Sequence, residues 1–131
     1  MNRAQSSVEF MIITGFVLFF FVAFLASIAL SSSDRLYERQ MLTIQQVARS
    51  VQEETAFAHA TVDGYSRTFE LPLQIVNLDY ELDVVDGRLY VHTLDGSQAL
   101  SVLITNVTGT FLPGTNVLRR SNGLVYVNDN P

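Results

Sequence analysis

The chain has 131 residues, no Cys, eight Arg, no Lys and a formal net charge of −5. That composition excludes a disulfide framework and any Cys-ligated metal. It also argues against nucleic acid, whose phosphates call for a basic surface. The length suits one small domain plus one further element.

The further element comes first. Residues Phe10 to Leu30 form a 21-residue block with no charge, no Pro and one Gly, Gly15. At about 1.5 Å per residue such a helix is roughly 30 Å long, the thickness of a bilayer's hydrocarbon core. A single acid, Glu9, directly precedes the block, and a single base, Arg3, lies six residues before Glu9. That base places the short N-terminus on the cytoplasmic side and the remainder outside. Phe16, Phe19, Phe20, Phe21 and Phe24 give the block an aromatic band suited to lipid contact or to helix-on-helix packing.

The residues Ala4-Gln5-Ser6-Ser7-Val8-Glu9-Phe10, running into this block, resemble the class III signal peptide of archaeal type IV pilin-like proteins. The resemblance covers about seven residues plus the apolar helix behind them, with the family's pattern taken up by Ala4 before the cut, Gln5 after it and Glu9 at the fifth mature position. It implies a leader of residues 1–4 removed between Ala4 and Gln5 by a prepilin-type peptidase. It further implies assembly through Glu9, Phe10, Phe16, Phe19, Phe20, Phe21 and Phe24 into a cell-surface filament. A cytoplasmic assembly ATPase and a membrane platform are the partners that the family brings, and the chain's own copies are the main one. Other readings of the same stretch are a capping box from Ser6 to Glu9, a plain membrane anchor for a surface domain, a minor pseudopilin or adhesion module, and a cleaved secretory signal with Ser27-Ile28-Ala29 as its small-residue site.

Behind the block, Ser31-Ser32-Ser33-Asp34 is a polar step that either bends the helix or marks its exit from the bilayer. Tyr37, Met41, Ile44, Ala48, Val51, Thr55 and Ala58 then recur at spacings of four and three, an amphipathic stripe that Leu36, Val47 and Phe57 widen. The expected layout is a leader at 1–4, a membrane and fibre-core helix at 5–33, and an extracellular head at 34–131. The helix is expected from about Ser7 to about Thr61, with Gly64 as its C′ residue.

From Tyr65 the period changes to two. Phe69, Leu71, Leu73 and Ile75 alternate with polar residues, and Pro72 marks that strand as an edge. Asp86-Gly87, Asp95-Gly96 and Asn122-Gly123 are tight-turn signals. The first pairs Val84 with Leu89, Leu82 with Val91 and Glu81 with His92. The second pairs Val91 with Leu100 and Leu89 with Val102. Both registers put Leu82, Val84, Leu89, Val91, Leu100, Val102 and Ile104 on one side, and a slip by one residue would scatter that set. The third turn joins 116–120 to 124–128 in a hairpin expected to be half buried on both sides or to serve in subunit contact, after a loop from Thr105 to Thr115. The fold class is therefore α+β: a long N-terminal helix packed on a small antiparallel sheet spanning 65–131.

Chemistry-bearing residues are sparse. His59 lies near the helix C-terminus, where a cation suits the dipole, and His92 is expected beside Glu81. Asp83, Asp86 and Asp95 sit at or near turns, which recruit Asp for backbone reasons. No metal, cofactor or enzyme active site is expected from these residues. Asn106-Val107-Thr108 is an N-glycosylation sequon in the expected surface loop.

Overall fold

The computed structural model describes the backbone of residues 2–129 and the side chains of residues 6–31 and 34–129. One helix, α1 (Asn2–Ala60), is followed by seven strands: β1 (Ser66–Leu71), β2 (Tyr80–Val85), β3 (Arg88–Thr93), β4 (Ala99–Leu103), β5 (Thr108–Gly109), β6 (Gly114–Ser121) and β7 (Leu124–Val127). The chain divides into two compact units, Met1–Glu38 and Arg39–Pro131.

The first unit is helical throughout its described residues. The helix starts at Asn2, upstream of the expected Ser7, so Ser6, Ser7 and Glu9 are helix-interior residues and Ser6 is no N-cap. The Ser31–Asp34 step does not interrupt it. Ser31 Oγ donates to the Ser27 carbonyl at 3.0 Å, back-bonding onto the preceding turn instead of competing with the helix.

In the second unit α1 packs on the sheets, giving the α+β architecture. Ile44, Val47, Ala48, Val51, Thr55 and Ala58 are buried along one stripe. Thr55 satisfies its hydroxyl within the helix, donating to the Val51 carbonyl at 2.8 Å. Tyr37, expected to open the stripe, and Leu36 and Phe57, expected to widen it, are about half exposed, whereas Val47 does widen it. Spacing marks a face of a helix but not how much of it is covered. Phe57 is instead flanked by the Tyr65 ring, edge-on at 5.8 Å, and by the Arg67 guanidinium at 5.8 Å.

The expected single sheet is two. β2, β3 and β4 form an antiparallel meander, and β1, β6, β7 and β5 form a second sheet in that order. The meander has the expected register at every pair: Val84 opposite Leu89, Leu82 opposite Val91, Glu81 opposite His92, Leu89 opposite Val102, Val91 opposite Leu100. Asp86 and Gly87 both have positive φ, 51° and 72°, as a type I′ turn requires. At the next turn the Asp95 carboxylate accepts from the Ser97 N–H at 3.0 Å and the Ser97 hydroxyl at 2.8 Å. These bonds, the backbone one foremost, hold the Asp95 carboxyl below its usual range.

The second sheet is assembled from distant segments. β1 is indeed an edge strand, pairing only with β6 from Ser66 opposite Arg119 to Leu71 opposite Gly114. It ends before Pro72, so Leu73 points away and is 73 % exposed, against expectation. Ile75 is buried through a separate tight turn, bridged to Leu78, with Val76 and Asn77 at positive φ. The β6–β7 hairpin carries its burial on one side: Leu118, Val125 and Val127 are enclosed, whereas Leu124 is exposed and Val117 and Tyr126 are half buried. The expected loop 105–115 contains β5, which runs parallel to β7, and Phe111, fully buried with its ring edge-on to Phe69 at 6.3 Å. Gly109 is obligatory there. It has φ +110°, and a Cβ would sit 2.0 Å from the Val127 carbonyl oxygen.

Two polar clusters close the unit. Asn116, wholly buried, accepts from the Leu112 N–H at 2.8 Å and donates to the Leu112 and Gly114 carbonyls. Asn128 then donates to Asn116 Oδ1 at 2.8 Å and to the Thr110 carbonyl at 2.9 Å, tying the chain's end to the loop. At the helix end, the N–H of Gly64 bonds the Arg120 carbonyl at 2.9 Å, so Gly64 is not the expected C′ cap. The cap is the Arg120 side chain. Its Nη1 donates to the carbonyls of Ala58, His59 and Thr61, and its Nε faces Asp63 Oδ1 at 3.3 Å. A cation over the last carbonyls satisfies orphan acceptors and complements the dipole at once.

Candidate functional site: the apolar half of α1

A 59-residue helix can form here because Ala, Leu, Gln, Glu, Arg and Ser dominate its second half and Pro is absent throughout. Its first half has a different character. The most apolar 18-residue window reaches a mean hydropathy of 2.6 and none of it is buried. Phe10, Phe16, Phe19, Phe20, Phe21 and Phe24 are 57–69 % exposed. At about 100° of rotation per residue they are spread round the helix rather than gathered at one point. Only Phe19 and Phe20 touch, edge-on with centroids 5.8 Å apart. Met11, Ile12, Ile13, Val17, Leu18, Val22, Leu25 and Ile28 fill the spaces between them and are as open. This surface has no polar side to turn to water. Gly15 interrupts it with a groove of about 470 Å³, lined by Ile12, Gly15, Phe16 and Phe19.

Glu9 is exposed, one residue before the block. The side chains of Ala4 and Gln5, at the expected leader cut, lie outside the described residues. At the other end Ser27, Ile28, Ser31 and Arg35 border a shallow recess.

The head offers surface but little chemistry. Asn106 is exposed between β4 and β5, as a glycosylation acceptor must be, and its carbonyl accepts from His59 Nε2 at 2.7 Å. His59 thus fastens the sequon loop to the helix, a role that its position near the helix end did not reveal. His92 stands 3.8 Å from Glu81 and 3.9 Å from Asp83, so the cross-strand partner expected from the register is joined by a diagonal one. Among the described residues no group of three or more His, Asp or Glu is placed to hold a metal ion. Tyr80 is buried, and desolvation pushes its phenol up to about 12; its hydroxyl donates to the Pro72 carbonyl. That is a structural bond, tying β2 to the chain beyond β1. A groove of about 490 Å³ lies between α1 and β4, lined by Gln45, Gln46, Arg49 and Gln52 with Leu42, Ala48, Leu100 and Val102, and Gln52 donates to the Leu103 carbonyl at 2.6 Å.

No protein-family model, no curated protein and no solved structure matches this chain.

Proposed function

We propose that this chain is a non-enzymatic structural subunit of a surface filament of the archaeal type IV pilus kind. The observation that carries the reading is the charge-free block Phe10–Leu30, open to its surroundings on every side and joined to a head that completes its own core. Burying one Phe, Leu or Ile side chain contributes about 1.5–3 kcal/mol, so the block as a whole favours lipid or neighbouring helices over water by tens of kcal/mol. In the precursor that surrounding is the membrane. After removal of residues 1–4 it becomes the same block of neighbouring copies, drawn from the bilayer by the assembly ATPase and platform that the resemblance implies. The resemblance of Ala4–Phe10 to a class III signal peptide and the exposed sequon at Asn106 agree with that fate.

Glu9 decides between a filament and a mere anchor. At the membrane surface its carboxylate is hydrated. Among packed apolar helices an uncompensated carboxylate costs about several kcal/mol. Cleavage before Gln5 creates an amine four residues away, able to pair with Glu9 of its own helix or of the next subunit. Glu9→Gln is therefore expected to insert and be trimmed normally yet assemble poorly, with Glu9→Asp intermediate. Normal fibres from Glu9→Gln, or an N-terminal Gln5 cyclised to pyroglutamate, contradict the pairing. One observation opposes both the filament and the surface-anchor readings: Arg35 and Arg39, close behind the block, bias the head toward the cytoplasm. Protease accessibility of the head on intact cells tests that orientation, and a protected head defeats the filament reading.

A further inference from the structure

Within the apolar block the surface is uneven. An interior helical Gly costs about 1 kcal/mol relative to Ala, and the block carries one, Gly15. A Cβ there would meet nothing within 4 Å, so no contact inside the described chain calls for it. Its missing side chain opens the groove lined by Ile12, Phe16 and Phe19. At about 100° per residue these residues share one side of the helix, while Phe10 and Phe21 lie roughly 160–180° round from Ile12. Phe21 is 57 % exposed. The helix thus presents an open apolar notch, the hole, on one side and a ring on the other.

Resting on the filament reading above, we propose that the Gly15 groove of one copy seats the Phe21 ring of the next, in a parallel, heterologous contact. Area argues for that geometry over a closed pair. One face of this block, about 30 Å by 10 Å, offers a footprint near 300 Å², well below the roughly 800 Å² per partner of a stable interface. A hole-to-hole dimer would spend its only contact on that footprint and leave the rest of the circumference open. Hole-to-ring contact leaves every assembly with one unused hole at one end and one unused ring at the other, so growth continues. Phe21 fits better than Phe10, because Phe10 would carry the neighbouring Glu9 carboxylate toward an apolar groove. Once seated, the ring lies between Phe16 and Phe19, where edge-on aromatic contact adds to burial. Placing residue 21 level with residue 15 offsets neighbouring helices by six residues, about 9 Å, and brings Val17 of one copy beside Ile12 of the other.

The chain has no Cys, so an introduced thiol is unique. The test is oxidative cross-linking of the full chain in its native membranes and fibres, read on non-reducing gels. Ile12→Cys and Val17→Cys together are expected to give ladders beyond the dimer, and each alone mostly monomer. Gly15→Leu added to the pair fills the hole, and is expected to cut the ladder about tenfold, the scale of one lost aromatic packing contact with its burial. Leu is a better helix former and more apolar than Gly, so membrane insertion of that variant stays intact. Efficient dimers from Ile12→Cys alone, or a ladder unchanged by Gly15→Leu because lipid chains fill the hole, overturn the proposal. Fibres that form without the Ile12–Val17 cross-link also overturn it while leaving the filament reading standing. Absence of both fibres and cross-links fails the two together.

Discussion

The two halves of α1 have the same backbone conformation and opposite relations to their surroundings. From Ile44 to Ala58 one stripe is buried to within 1 % exposure, under residues from both sheets, and the other faces carry Gln, Arg and Glu. From Phe10 to Leu30 every large side chain is about half exposed or more and no face is polar. Helical periodicity is present in the first case because the chain itself supplies the cover for one side. It is absent in the second, the pattern of a helix that is apolar all round. The head buries its own core, whereas the apolar half is left uncovered among the described residues.

That contrast can be broken from the head side. Leu89→Asp places an unpaired charge in a fully buried site between strands and helix, and is expected to remove more than about 4 kcal/mol of head stability. Circular dichroism melting of a fragment beginning at Arg39 checks it, and an unchanged melt would mean that the sheet face is misassigned. Gly109→Ala drives a methyl into the Val127 carbonyl and should cost about 2–3 kcal/mol, the range for strain at a special backbone position with a steric clash. Loss of protection at β5 and β7 in hydrogen exchange, with the meander intact, is the expected pattern. Gly87→Val puts a β-branched residue at φ 72° in the first turn and is expected to cost about 1–2 kcal/mol; wild-type stability would remove the type I′ assignment.

The smallest effect is electrostatic and sharpens the contrast from within. Burial raises the Tyr80 phenol to about 12, so the fold favours its neutral form. That contribution is complete below about pH 10, the value for an unfolded Tyr, and is lost as pH rises from 10 toward 12. Alkaline difference absorbance should show one of the head's tyrosines titrating late, and Tyr80→Phe should flatten the loss of stability in that window.

Much of the fold could be read from residue order because its determinants are local. Asp-Gly turns fix register by two residues each, so the three-stranded meander followed pair by pair. The same local logic failed where partners are distant. β1 joins β6 across more than forty residues, and nothing in Ser66–Leu71 names that partner. Phe111 lies in the loop, as expected, but its burial is not legible there, because the neighbouring two-residue β5 is too short to show alternation. Arg120, the cap of α1, sits sixty residues beyond the carbonyls that it satisfies, and no spacing rule links them; the Gly nearest the helix end was the obvious and wrong candidate. For the candidate site, the apolar block and its aromatic band were plain from composition. Its one structural irregularity, the Gly15 groove, was visible as a residue but acquired meaning only when its surroundings proved empty.

The measurement that bears most directly on the central claim is negative-stain microscopy of fibres sheared from the cell surface, coupled to intact mass of their subunit. The account predicts thin filaments whose main component is this chain beginning at Gln5, with the mass of residues 1–4 gone. A chain that stays in the membrane fraction with its N-terminus at Met1 or Asn2, or surface fibres that do not contain it, would contradict the account.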